Sequence, residues 1–242
     1  MNKNYSSREL EYKLLERIEQ SEQPIGASCL NLVLGRELAV SQSTIGRKLH
    51  ELEFNGYLEK VGRKGRRLTE KGREYFKTLG RQLQAYQESD SLLKAMDEDS
   101  KRRLIEILIT RRALEREIVG LVIEKASDRD LDMLYSIVEE QSRMIDLGQS
   151  GSDQDINFHQ TLARLSGNGV LEYTLRLVLS LGGLAPVTSH IRQQMGGVIT
   201  DHQEIIRALE ERALSRAQAA MTNHINRLIS DVELYWRSRR GH

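Results

Sequence analysis

Apolar residues recur at intervals of three and four along most of the chain, the spacing that lines up one face of a helix. In SSRELEYKLLERIEQ, residues 6–20, that face is Leu10, Leu14, Leu15 and Ile18, and Ser6 or Ser7 supplies a cap. Pro24 and Gly26 break the pattern, and a second short helix is expected over 28–37. Ser41 is placed to cap a third helix over 41–55, with Ile45, Leu49, Leu52 and Phe54 as its core face and Asn55-Gly56 as its stop. The period then changes to two. Residues 57–61 read as a strand, 62–65 as a turn and 66–69 as the return strand. Three short helices followed by a hairpin is the order of a winged helix-turn-helix. A helix over 70–90, with Tyr75, Leu79, Leu83 and Tyr86 on one face, runs into the polar QESDS, and a domain boundary is expected near 88–96.

From Met96 onward every strong segment is helical. One helix is expected over 98–125 and another over 128–147, the latter opened by Ser127 and Asp128. A third runs through DQDINFHQTLARLSGN, residues 153–168, and stops at Gly167-Asn168-Gly169. Segment 170–195 is apolar on more than one face and reads as a buried helix, kinked or broken by Gly182-Gly183 and Pro186. Gly196-Gly197 is a joint, and two helices follow. The fold expected is mainly α. It has a winged helix-turn-helix over 1–75, a connector over 76–96 and an all-α antiparallel bundle of six or seven helices over 97–242.

Composition supports a helical protein: aromatics are 5% of 242 residues and there are two prolines. The net charge of +1 excludes a polycation, so any affinity for nucleic acid must be local. It is local: residues 60–73 carry Lys60, Arg63, Lys64, Arg66, Arg67, Lys71 and Arg73 against Glu70 alone. A solvated hairpin needs no such bias, whereas a wing lying along phosphates does. The third helix adds Ser41, Gln42, Ser43, Thr44, Arg47 and Lys48 near its N-terminus, residue types suited to a major-groove recognition helix. The single cysteine, Cys29, forms no intramolecular disulfide, and a reducing cytoplasm is expected. There is no apolar signal segment, and the most apolar run, 170–187, is interrupted by Glu172 and Arg176, so no membrane partner is expected.

Candidate chemistry lies in the second half. Asp155 and His159 are four apart and stack on one helix face, an oxygen and a nitrogen donor for a divalent metal. The plainer reading is an acidic residue near a helix start and an ordinary histidine. His202 and His224 are 22 apart; a tight turn near 211–213 would bring them level on antiparallel helices. Three helices could then offer Asp155, His159, His202 and His224 to one interior point, as bundle cores do.

At these residues the chain resembles the FCD ligand-binding domain found in a branch of the GntR transcriptional regulators. The resemblance rests on D-x-x-x-H followed by Ser166-Gly167-Asn168, and on a D-H-x-x-I-x-x-A-L stretch followed by M-x-x-H, and it covers residues 97–238. It implies that Asp155, His159, His202 and His224 hold a metal, zinc or nickel, beneath a pocket for a small acid. It also implies that Arg111, in an R-x-x-L-E match, faces that pocket; the alternative is an exposed arginine paired with Glu115. Asn168 lines the pocket or caps a helix end. His50 and His190 match no ligand position. Two departures are visible. Arg212-Ala213 stands where the family has Gly-Asp, and the S-x-S-T-I recognition-helix pattern carries Gln42, Gly46 and Lys48 at positions usually basic, arginine and alanine. The expected function is a cytoplasmic, bacterial one-component regulator that binds operator DNA as a homodimer and senses a small organic acid through a metal. One alternative keeps the DNA binding and makes the metal structural or the sensed species. Another is a metal-dependent hydrolase, which would need a general base such as Glu115 or Glu204.

Overall fold

A computed structural model describes residues 3–96, 100–181 and 198–239. The expected breaks at Gly182-Gly183 and Pro186, the joint at Gly196-Gly197, and His190 lie outside the described residues. The chain divides into two compact units, Met1–Ser91 and Leu92–His242.

The first unit contains α1 (Lys3–Glu19), α2 (Ala27–Leu34), α3 (Gln42–Phe54), β1 (Leu58–Val61), β2 (Gly65–Leu68) and most of α4 (Glu70–Met96). Its core is the stripe of Leu14, Leu15 and Ile18 on α1 packed with Ile45, Leu49 and Leu52 on α3 and Leu79 on α4. β1 and β2 pair antiparallel, Leu58 opposite Leu68, and Ile25 adds a bridge to Arg66 through two backbone hydrogen bonds of 3.1 and 2.9 Å. That bridge requires a glycine next to Arg66. Gly65 has φ +132, and a Cβ there would sit 2.3 Å from the Ile25 carbonyl carbon. Two expectations are corrected here. Phe54 is 85% exposed, because it falls two residues after Leu52 and so off the stripe that buries Ile45, Leu49 and Leu52. The fourth helix does not end in QESDS but runs to Met96; no glycine or proline interrupts that stretch, and Ser89 Oγ bonds back to the Ala85 carbonyl at 2.8 Å.

The second unit contains six helices among the described residues: α5 (Lys101–Lys125), α6 (Asp128–Asp146), α7 (Ser152–Leu165), α8 (Gly169–Leu181), α9 (Val198–Glu210) and α10 (Leu214–Arg239). Ser100 caps α5, and Ser127 with Asp130 forms a reciprocal capping box on α6. α5 packs along α10 and also touches α7; α9 packs on α6 and α10. The apolar core of Leu108, Ile118, Phe158, Ile205, Met221 and Ile225 runs between them. The architecture is a winged helix followed by a helical bundle. α8 is not buried all round as expected: Leu175 and Val178 face the core, while Val170 and Tyr173 are 77% and 69% exposed. No helix among the described residues is long and apolar enough to cross a membrane.

Candidate functional site

α7 carries Asp155 and His159 one turn apart, and α9 and α10 bring His202 and His224 against them. The turn between α9 and α10 makes this alignment. It closes at 211–213 with backbone hydrogen bonds from Arg212 to Leu209 (3.1 Å) and from Ala213 to Ala208 (3.0 Å), and Arg212 adopts φ 52. That conformation favours glycine. Arg212 is held in it by its guanidinium, which donates to the carbonyls of Ile123 and Ala126 at the end of α5, both at 2.7 Å. The departure from Gly-Asp therefore keeps the turn. The ring centroids of His202 and His224 are 4.8 Å apart, and His159 lies 5.3 and 5.2 Å from them.

One donor atom from each of Asp155, His159, His202 and His224 lies within 4.8 Å of the other three, and all four residues are buried. Asp155 Oδ1 is 3.9 Å from His159 Nε2 and 3.5 Å from His202 Nε2. Metal–nitrogen and metal–oxygen bonds of about 2.0–2.2 Å put ligand atoms at most roughly 4.4 Å apart, so the donors, which lie within 4.8 Å of one another, need close in by only a few tenths of an ångström to share one ion. The donor set, three imidazoles and one carboxylate, suits a borderline divalent ion.

The outward-facing ring nitrogens are also engaged. His202 Nδ1 meets Gln141 Oε1 at 2.9 Å, and Gln141 Nε2 in turn donates to the Gly151 carbonyl at 3.3 Å. His224 Nδ1 is 3.4 Å from Asp201 Oδ2, and His159 Nδ1 lies against Glu115 Oε2. An imidazole that gives its Nδ1–H to such an oxygen keeps its Nε2 lone pair for the shared interior point. His159 Nε2 is buried and has no hydrogen-bond partner among the described residues. The residues present fit a metal ion.

Arg111 is 3% exposed, and its Nε donates to Glu115 Oε1 at 2.7 Å. It is paired with Glu115, but in the interior rather than on the surface. Its Nη2 is buried with no partner among the described residues. Burial pushes the Glu115 carboxyl up, but Arg111 and His159 outweigh it and hold its pKa at about 2, so it is a carboxylate at neutral pH. Asn168 Oδ1 accepts from the backbone N–H groups of Val170 (3.1 Å) and Leu171 (3.2 Å), capping α8. It also borders an open cleft with Lys125 and Tyr173.

In the first unit, Ser41 caps α3 by accepting from Thr44 N, and its hydroxyl reaches Ser43 and Thr44. Gln42 Nε2 donates to Ser28 Oγ on α2 at 3.0 Å. Arg47, Arg63, Lys64 and Arg67 are exposed. Lys48 and Arg66 are half-buried and engaged by carboxylates: Lys48 by Glu51 (2.8 Å) and Glu11 (3.4 Å), Arg66 by Glu53 (2.9 Å). Burial pulls the Lys48 ammonium down, but Glu51 and Glu11 outweigh it and raise its pKa.

Sequence reasoning did not find Gln141 and Arg227, gave Asp201 no part in the site, and named Glu115 only as a surface partner of Arg111 or as the base of a hydrolase. Glu115 was visible as the acid of R-x-x-L-E and Asp201 as the residue before His202. Gln141 meets its histidine across 61 positions and had no local signal.

The FCD domain family matches residues 106–227, slightly more than half of the chain, and the ribonuclease R winged-helix domain family matches residues 12–76. The HTH-type transcriptional regulator LutR of Bacillus subtilis is 24% identical over 207 residues, covering 82% of this chain and 87% of that protein. The Uxu operon regulator of Haemophilus influenzae is 27% identical over 140 residues, 53% of each chain. Among solved structures, E. coli McbR/YncC matches 98% of this chain and 100% of its own with a TM-score of 0.51 at 16% identity, a likeness of fold.

Proposed function

Because the chain belongs to the FCD-domain family of GntR-type transcriptional regulators, we propose that its winged helix binds operator DNA under the control of a small carboxylate held at a metal site in the bundle. The observation that carries this reading is the buried Asp155, His159, His202 and His224 cluster, with an oxygen acceptor behind each histidine. A bound divalent ion, zinc or nickel, supplies positive charge and open positions for carboxylate oxygens. Arg111 Nη2, a buried donor with no partner among the described residues, supports a second contact to the same acid. Gln42, Ser43 and Arg47 read bases, and Arg63, Lys64 and Arg67 hold phosphates, while Lys48 and Arg66 brace those elements through Glu11, Glu51 and Glu53. One recognition helix reads a half-site, so the working species is a homodimer in the cytoplasm.

The family is one of regulators, not enzymes. Neither base considered for a hydrolase is suited to the task. Glu115 is held at a pKa of about 2 between Arg111 and His159, and Glu204 is paired with Arg216 at 2.7 Å on the surface. The test is to purify the full chain and measure metal by elemental analysis and organic acids by mass spectrometry of the denatured supernatant. About one zinc or nickel per chain is expected, reduced strongly in His159→Ala and in His224→Ala. Full metal content in both variants removes the site; metal without any acid-dependent change in operator binding leaves a structural ion.

A further inference from the structure

Behind two of the histidines the chain repeats one arrangement. Arg111 Nε donates to Glu115 Oε1 at 2.7 Å, and Glu115 Oε2 lies against His159 Nδ1. Arg227 Nη1 is 2.5 Å from Asp201 Oδ1, and Asp201 Oδ2 is 3.4 Å from His224 Nδ1. Each line runs arginine, carboxylate, histidine, interior. The third histidine, His202, is backed by the neutral Gln141 amide instead. Glu115 and Asp201 are buried, with 1% and 7% exposure, so their charges are weakly screened.

A carboxylate that accepts the Nδ1–H of a ligand imidazole fixes the tautomer, turns Nε2 toward the metal and raises the ring's basicity. It also brings negative charge close to a cation. An arginine on the far side of that carboxylate acts in the opposite sense, because its positive charge opposes the metal's. Among the groups in these lines, the inner ligands contribute one negative charge, from Asp155. Glu115 and Asp201 add two, and Arg111 and Arg227 cancel them.

We propose that Glu115 and Asp201 are positioning residues that set metal affinity through His159 and His224, and that Arg111 and Arg227 hold these carboxylates in place and moderate that affinity. The inference rests on the metal reading given above. It has a signature that packing does not share. Neutralising a carboxylate weakens the metal, whereas removing the arginine behind it strengthens the metal.

The experiment is a competition titration of zinc against a chromophoric chelator, on full-length wild type, His159→Ala, Glu115→Gln, Asp201→Asn and Arg227→Ala. Glu115→Gln and Asp201→Asn should each bind zinc about 10–100-fold more weakly than wild type. Arg227→Ala should bind it several-fold more tightly; its side chain is 61% exposed, so truncation spares the core. If Glu115→Gln does not fold, the Asp201→Asn and Arg227→Ala pair still decides the sign. In zinc-loaded wild type, nitrogen-15 spectra should report the Nδ1–H tautomer for His159, His202 and His224. Wild type that takes up no zinc sinks the metal reading itself. Zinc lost in His159→Ala but held at wild-type affinity in both carboxylate variants overturns this inference alone. So does an Arg227→Ala variant weakened as much as Asp201→Asn, which would mark a shared packing role.

Discussion

Among the described residues, two other than glycine occupy the left-handed region, Ala39 with φ 51 and Arg212 with φ 52, and they should respond oppositely to glycine. A Cβ in that region costs about 1–2 kcal/mol, part of which a glycine returns through the greater freedom of the unfolded chain. Ala39 is exposed in the turn between α2 and α3, so Ala39→Gly should stabilise the first unit by about 0.5–1 kcal/mol. Arg212→Gly relieves the same strain but deletes both bonds to the carbonyls of Ile123 and Ala126, and should destabilise the second unit by about 1 kcal/mol. Scanning calorimetry checks both; equal shifts of the same sign would contradict this account. At this scale the clustering of Asp155, His159, His202 and His224 was legible because their spacing is geometric: four residues along one helix, and equal distances from one turn. Gln141 was not, because a contact between distant helices leaves no mark on its neighbours in sequence.

Helix stripes were legible wherever each apolar residue kept its period, and misread where one did not. Ile45, Leu49 and Leu52 are buried as their spacing requires, while Phe54 shares their chemistry but not their face. α8 misled for the related reason that an apolar residue need not be covered: Val170 and Tyr173 sit on its outer side. Caps were easier to read, since they act within three residues. Ser127→Ala breaks the capping box of α6 and should cost about 1 kcal/mol, measurable in the unfolding of the second unit. The wing gives a sharper division than its charge alone. Replacing Arg63, Lys64 and Arg67 with alanine should lower DNA affinity for all sequences and reduce the salt slope by up to about three units, one for each lost phosphate contact. Arg66→Ala should move the slope less, because Glu53 already neutralises Arg66. Electrophoretic shift assays at several salt concentrations separate the two, and an unchanged slope in the triple variant would remove the wing from the interface.

For the whole molecule the relevant quantity is coupling between the two units. With a net charge of only +1, nothing general draws this chain to DNA, so regulation must act through its local surfaces. Metal comes first. On the proposed metal reading, chelation should lower the melting temperature of the second unit, because an ion that binds the folded cluster in preference to the unfolded chain stabilises the fold. Trp236, the single tryptophan, packs against that unit's core and reports the change. The acid comes second. If its binding alters operator affinity, operator must alter acid affinity by the same factor, since both are read from one thermodynamic cycle. A coupling of about 1–3 kcal/mol corresponds to a change of roughly 5–150-fold. Calorimetric titration of small mono- and dicarboxylates into the metal-loaded protein, with and without operator duplex, measures it from both sides. Arg111→Ala should weaken the acid in each titration. It should not abolish metal binding, because among the described residues Arg111 reaches the proposed ligands through Glu115. Equal acid affinities with and without operator would leave the bundle a binding domain with no hold on the DNA.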